Sequence, residues 1–163
     1  MSVILFQEKQ FFRQWYLWIP MVATALLFSW GMFQQLVLGK PWGDHPMSDL
    51  GLVLGSLFVY ATIGFLGIVH LNTEITQEEV RIVFFPLSRR TIRWDEIAAA
   101  HVRKYNPMLE FGGWGLRFGK DGPAYNVSGR LGLELELHDG RKLLIGTNKP
   151  EELEAVVKKV TGK

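Results

Sequence analysis

The side chains able to do chemistry are few and scattered. Asp44, His45 and Asp49 form one compact titratable cluster. One imidazole beside two carboxylates is a donor set for a divalent cation or a proton relay. The three sit in the proline- and glycine-rich run Gly39-Lys40-Pro41-Trp42-Gly43-Asp44-His45-Pro46-Met47-Ser48-Asp49. That run reads more simply as a solvated loop whose Ser48 or Asp49 caps a following helix. His70, His101 and His138 stand apart, none at ligand spacing from another histidine. His70 is read as an interfacial anchor, with pH sensing as its alternative.

The chain has no cysteine, which excludes disulfides, thiolate zinc, iron–sulfur ligation and cysteine nucleophiles. Gly112-Gly113-Trp114-Gly115 lacks the Gly-Lys-[Ser/Thr] of a phosphate loop and reads as a strand with a bulge or a close backbone approach. Arg89, Arg90 and Arg93, with Arg103-Lys104, are the densest basic groups. They suit anionic headgroups or an acidic partner, or are simply solvated. No serine–histidine–acid set, paired carboxylates or cofactor fingerprint emerges, so the expectation is a protein that is not an enzyme and has no cofactor and no metal.

Two apolar stretches dominate what must position these groups. They run from about Trp15 to Leu38 and from about Leu50 to Val69, and neither holds an Asp, Glu, Lys or Arg. Roughly 20 mainly apolar residues cross a bilayer as a helix, so residues 15–70 read as a transmembrane hairpin. Trp15, Tyr16, Trp18 and Trp42 mark its interfaces. Gln34 and Gln35 fall near one of them, to meet headgroups or bond a partner helix. Gly51, Gly55 and Gly64 give the second span a small face for helix docking, either within the chain or against another subunit.

Residues 1–14 read as an interfacial lead-in with Phe6, Phe11 and Phe12, or as a frayed tail; they do not look like a cleaved signal. Lys9 and Arg13 flank the hairpin on one side and Arg81, Arg89, Arg90 and Arg93 on the other, against Lys40 alone in the connector. The excess of basic residues outside the connector places both termini in the cytoplasm. Under that placement the Asn126-Val127-Ser128 acceptor carries no glycan meaning.

Residues 71–163 carry 15 basic and 13 acidic residues, a balance too even for nucleic-acid binding. Short strands are expected at 80–85, 91–94, 97–105, 112–118, 124–128, 133–137 and 141–146. Leu133-Glu134-Leu135-Glu136-Leu137 alternates strictly, Lys120-Asp121-Gly122-Pro123 is a turn, and Asp139-Gly140 closes a hairpin. A final helix carries Leu153, Val156, Val157 and Val160 on one stripe, with Asn148 and Glu151 as its capping pair. Some six or seven antiparallel strands covered by one helix result.

Four segments carry a resemblance: "ITQEEVRI", the Trp94-Asp95-Glu96-Ile97 step, the Gly-Trp-Gly-Leu strand, and "GRKLLIGTNKPEELEAVV". With a hairpin before them, they resemble the bacterial PH-like domain membrane proteins with an N-terminal two-helix transmembrane hairpin. The resemblance implies a membrane α-helical hairpin plus an α+β, mainly β domain: a PH-like curved antiparallel sheet of seven strands capped by a C-terminal helix. It also implies bacterial origin and a place in the inner, cytoplasmic membrane. Such relatives include members of transport, stress and photosynthetic-complex assembly systems, so it implies an accessory, assembly or scaffolding subunit. The partners are then other membrane-protein subunits and membrane lipids, and no nucleic acid. Arg89, Arg90, Arg93 and Trp94 are the expected partner or headgroup contacts. The alternative is a tethered PH-like domain that senses a lipid or ligand. The acidic turn Thr76-Gln77-Glu78-Glu79 stands where inositide binders hold basic residues, which argues against inositide recognition there.

Overall fold

The computed structural model describes residues 3–119 and 122–162. The turn expected at Lys120-Asp121 lies outside the described residues. The chain divides into two compact units, a helical hairpin over Arg13–Ile68 and a sheet unit formed by Met1–Phe12 with Val69–Lys163.

In the hairpin, α1 (Trp15–Met32) runs on through a π-helical turn over Phe33–Val37, and α2 (Asp49–Ile68) returns. The helical stretches Trp15–Val37 and Asp49–Ile68, of 23 and 20 residues, are long and apolar enough to cross a membrane. At 1.5 Å per residue each reaches roughly the 30 Å of a hydrocarbon core. Only Gly31, Leu52 and Ser56 are buried in the two helices, so nearly all their apolar surface faces outward. Acyl chains are the natural solvent for such a surface.

What holds the hairpin together is mostly polar and aromatic. Ser29 Oγ and Tyr60 OH lie 2.7 Å apart across the helices. Gln35 Nε2 donates to Met47 O at 2.8 Å and Asp49 Oδ1 at 2.7 Å, while Gln34 Nε2 donates to Pro41 O at 3.0 Å. The two glutamines therefore fasten the connector, rather than meeting headgroups or a partner helix. Trp42 stacks edge-on to Phe28, ring centroids 5.9 Å apart. It also lies over Gly31, where an added Cβ would come within 2.6 Å of its ring. Ser48 Oγ accepts from Gly51 N at 3.2 Å and so caps α2.

Among the described residues the sheet unit has nine strands in two sheets. The first sheet is ordered β1 (Ile4–Phe11), β2 (His70–Thr76), β3 (Glu79–Phe85), β4 (Ser88–Arg93). After a 3₁₀ turn at Trp94–Glu96 come β5 (Ile97–Lys104), α3 (Pro107–Phe111), β6 (Gly115–Gly119), β7 (Gly122–Asn126), β8 (Leu131–Leu137), β9 (Lys142–Gly146) and α4 (Pro150–Thr161). The second sheet is ordered β5-β8-β9-β7-β6. Pairing is antiparallel throughout except between β7 and β9, which run parallel. Side chains from both sheets and from α4 meet in one core built on Phe6, Leu71, Ile82, Phe84, Leu133, Leu135, Ile145, Leu153 and Val157.

Four expectations are corrected. The first concerns residues 1–14. Ile4–Phe11 is neither an interfacial lead-in nor a frayed tail but a strand paired along β2 from Ile4↔Thr76 to Phe11↔His70. Phe6 is 2% exposed in the core. Glu8 accepts from Thr147 Oγ1 at 2.6 Å and Asn148 N at 2.9 Å, and Gln10 Nε2 donates to Gly146 O at 2.8 Å. The helical hairpin is thus inserted between two paired strands of the sheet unit, instead of preceding it. Second, the strand count rises to nine, and one pair is parallel. Third, Gly112 ends a short helix in left-handed conformation (φ 70°), and β6 begins only at Gly115. Asn106 Oδ1 caps that helix by accepting from Met108 N and Leu109 N. Fourth, Asn148 does not cap α4. Its amide donates to Gln10 Oε1 and its oxygen accepts from Ser128 Oγ, both at 3.2 Å.

Candidate functional site

A groove of about 600 Å³ lies between β5 and α4. Its floor is Ile97, Ala98, Ala99, Ala100 and Val102, and its walls include Trp94, Val157, Val160 and Thr161. Glu154, Lys158 and His101 supply the polar rim. The local sequence explains the shape. Three alanines in a row leave the strand without bulk, and among the described residues β5 is an edge strand that pairs with β8 alone. Its register shifts between Ile97 and Ala99, so Ala98 bulges out of the ladder. α4 presents Leu153 and Val157 to the core and leaves Val160 to the groove. An edge strand beside a groove of mixed polar and apolar lining offers main-chain donors and acceptors together with side-chain space.

Trp94 belongs to this groove and is half-buried. Its Nε1 donates to Thr76 O at 3.0 Å, which pins the ring as a wall. The other three expected contacts diverge. Arg89 and Arg93 share the outer face of β4, but Arg89 pairs with Val83 near the start of the strand and Arg93 with Glu79 at its far end. Arg93 is held to Asp95 at 3.0 Å. Arg90 points to the other side, where its charge helps to lower the Asp139 carboxyl, though less than the hydrogen bonds from Arg141 do. Arg89, Arg90, Arg93 and Trp94 are therefore not one patch.

The three glycines of α2 also separate. A Cβ on Gly55 would lie 3.0 Å from Phe28, so this glycine serves packing of α2 on α1 within the chain. Gly51 sits over Ser48 at 3.1 Å. At Gly64 an added Cβ meets nothing within 4 Å, so of the three this position is open to a second helix. A shallow groove of about 240 Å³, lined by Pro20, Thr24, Phe58 and Thr62, lies nearby on the same hairpin. Asp44 and His45 are exposed in the connector, while Asp49 is committed to Gln35. Among the described residues no three His, Asp or Glu side chains gather as a metal site.

The outer face of the second sheet carries an ion-pair cluster that sequence reading missed. Glu134, on β8, is bonded by Arg103 and faces His101 at 3.7 Å and Lys142 at 3.9 Å. Arg103 also bonds Glu110 of α3 at 2.9 Å. Behind it Tyr105, Ala124, Leu144 and Phe111 form a small second core. The signal in the sequence was only the alternation of Leu133 to Leu137, which says that Glu134 lies opposite the core but not what covers it. The cluster braces α3 and assembles no reacting pair. α3 packs beside β6, and Met108, Leu109 and Phe118 on the two are exposed by 61%, 85% and 79%.

Burial alone would raise the Glu110 carboxyl, but the hydrogen bond from Arg103 and another from Asn106 N outweigh it and hold the group below its ordinary 4.5. The folded state then keeps the carboxylate charged to lower pH than the unfolded chain does. Its stabilisation is complete above the ordinary value and is lost as pH falls through the lowered one. Thermal unfolding of the detergent-solubilised protein between about pH 6 and about pH 3 should show a midpoint that drops on the acid side, and Glu110→Gln should flatten part of that drop. An unchanged acid slope in Glu110→Gln would remove Glu110 from the account.

No protein-family model matches the sequence, and no curated protein matches it.

Proposed function

We propose that the protein is a non-enzymatic accessory subunit of a larger membrane complex, whose sheet unit holds an extended segment of a partner protein. The observation that carries this reading is the open edge of β5 beside the β5–α4 groove. A row of main-chain groups with a groove of mixed lining alongside is matched by a strand that adds to the sheet and drops alternate side chains, apolar over the alanines and polar toward His101, Glu154 and Lys158, into the groove. A volume of about 600 Å³ takes several such side chains. The exposed apolar residues of α3 and β6, with β6 at the opposite edge of the second sheet, are a separate surface available to a protein.

The two candidate spans restrict the partner to membrane proteins or their near-membrane segments, and Gly64 is the position where a partner helix would pack. The bacterial inner membrane and a cytoplasmic sheet unit are part of this proposal, on the strength of the resemblance and of the basic residues flanking the hairpin. So is the PH-like identity of the fold. If the β6–β7 hairpin is set aside, seven strands remain, four in one sheet and three antiparallel in the other, closed by a helix.

The test is purification of the tagged full-length protein from its native membrane in mild detergent. A stoichiometric membrane protein should co-migrate on sizing. Ala98→Arg, which places a long charged side chain at the bulge, should release that protein by roughly tenfold or more, whereas Thr91→Arg on the outer face of β4 should not. A lone monomer or homo-oligomer sinks the proposal.

A further inference from the structure

The outer face of the first sheet is graded along its strands. Residues directly opposite one another in an antiparallel ladder share a face. The register therefore makes Phe11, His70 and Phe85 one row, Lys9, Asn72, Val83 and Arg89 the next, and Gln7, Glu74, Arg81 and Thr91 the third. These rows face outward, because the alternate residues Phe6, Glu8, Gln10, Leu71, Thr73, Ile75, Ile82 and Phe84 are buried. The first row is a ladder of rings, with centroids 5.2 Å apart from Phe11 to His70 and 5.3 Å from His70 to Phe85. The Lys9 ammonium stands 5.1 Å from the Phe11 ring centre. Beyond the rings the β3–β4 turn presents Pro86 and Leu87, with Leu87 55% and Phe85 37% exposed.

From its end inward the face thus reads apolar tip, aromatic row, cations, mixed charge. Successive rows are about 7 Å apart, two residues of strand. A lipid–water interface presents the same order: acyl boundary, the level where aromatic rings settle, phosphates, then water.

The covalent chain supplies the occupant. Phe11 comes four residues before Trp15, where the first candidate span begins, and His70 two residues after Ile68, where the second ends. Four extended residues cover at most about 14 Å. The row of rings therefore cannot lie farther than that from where the chain enters a bilayer. No such bound applies to the exposed apolar residues of α3 and β6.

We propose that the β3–β4 end of the first sheet is a lipid-contact site, with Leu87 and Phe85 seated at the acyl–headgroup boundary and Lys9 and Arg89 on the anionic headgroups of the bilayer that holds the protein's own helices. The site separates the basic residues of β4. Arg89 belongs to it. Arg93, four residues further along and paired with Asp95, does not. It is independent of the β5–α4 groove.

The absence of native cysteine makes the test direct. A nitroxide on Leu87→Cys or on Thr91→Cys in the full-length protein is reconstituted in phosphatidylcholine vesicles with or without phosphatidylglycerol. In the anionic vesicles the label at position 87 should collide with dissolved oxygen in preference to a water-soluble nickel complex, and the label at 91 the reverse. The preference at 87 should weaken in phosphatidylcholine alone and in high salt. Lys9→Gln with Arg89→Gln should lower the ratio of docked to free states roughly twenty-five-fold, about fivefold for each cation. A label at 87 as water-accessible as that at 91, or docking that is equal in both vesicles, overturns the proposal.

Discussion

A chain that starts at Leu71 will not fold, whereas residues 1–11 joined to residues 70–162 through an Asn-Gly turn will give a soluble domain that melts cooperatively. The reason lies in β1. It pairs along the length of β2, covers part of the core with Phe6 and ties its inward polar groups to the β9–α4 connection. Deleting it uncovers Leu71, Ile75 and the Thr147–Asn148 backbone at one stroke. Loss of a buried Phe side chain alone costs about 3–5 kcal/mol. Each ladder hydrogen bond adds about 1 kcal/mol, and a domain has only about 5–15 kcal/mol in all. The helical hairpin contributes no strand to either sheet, and Phe11 and His70 are direct partners, so a two-residue turn can close the ladder in its place. Dispersion of amide proton shifts separates the outcomes. A well-dispersed spectrum from residues 71–163 alone would mean that β1 is dispensable.

Phe6→Ala in the full-length protein is expected to cost about 3–5 kcal/mol of sheet-unit stability, and Gln7→Ala less than about 0.5 kcal/mol. The two positions are neighbours in sequence and differ only in which side of β1 they occupy. Phe6 is 2% exposed against the core, while Gln7 lies on the outer face and bonds Glu74 at 3.0 Å. Chemical denaturation followed by hydrogen exchange at β2 and β3 amides measures both. Equal small effects would mean that the first strand lies outside the cooperative unit.

Much of the architecture was legible in local pattern. The two long apolar helices were readable because some 20 successive residues without charge need no knowledge of any partner. Leu133, Leu135 and Leu137 were readable as core because alternation reports which side turns inward. The other side is not wet as expected, since Glu134 is buried beneath its ion pairs. α4 was readable because Leu153 and Val157 repeat at helical spacing. The Asp139-Gly140 turn was readable because its glycine takes φ 81°, which its own chemistry favours.

The rest depended on partners far along the chain. β1 carries Glu8 and Gln10 on its buried side, so it shows no apolar alternation. Those groups are tolerable inside only because Thr147, Asn148 and Gly146, some 140 residues later, satisfy them. The parallel pairing of β7 with β9 and the division of Gly55 from Gly64 are of the same kind. So is the groove, because an edge is the lack of a neighbour, which no single strand can announce. By itself the sequence determined which segments shun water and where the chain turns. Tertiary structure alone decided that a strand before the first long helix completes the sheet after the second. It also decided that Arg89 and Arg93 belong to opposite ends of one face, because strand register is set by pairing and not by composition.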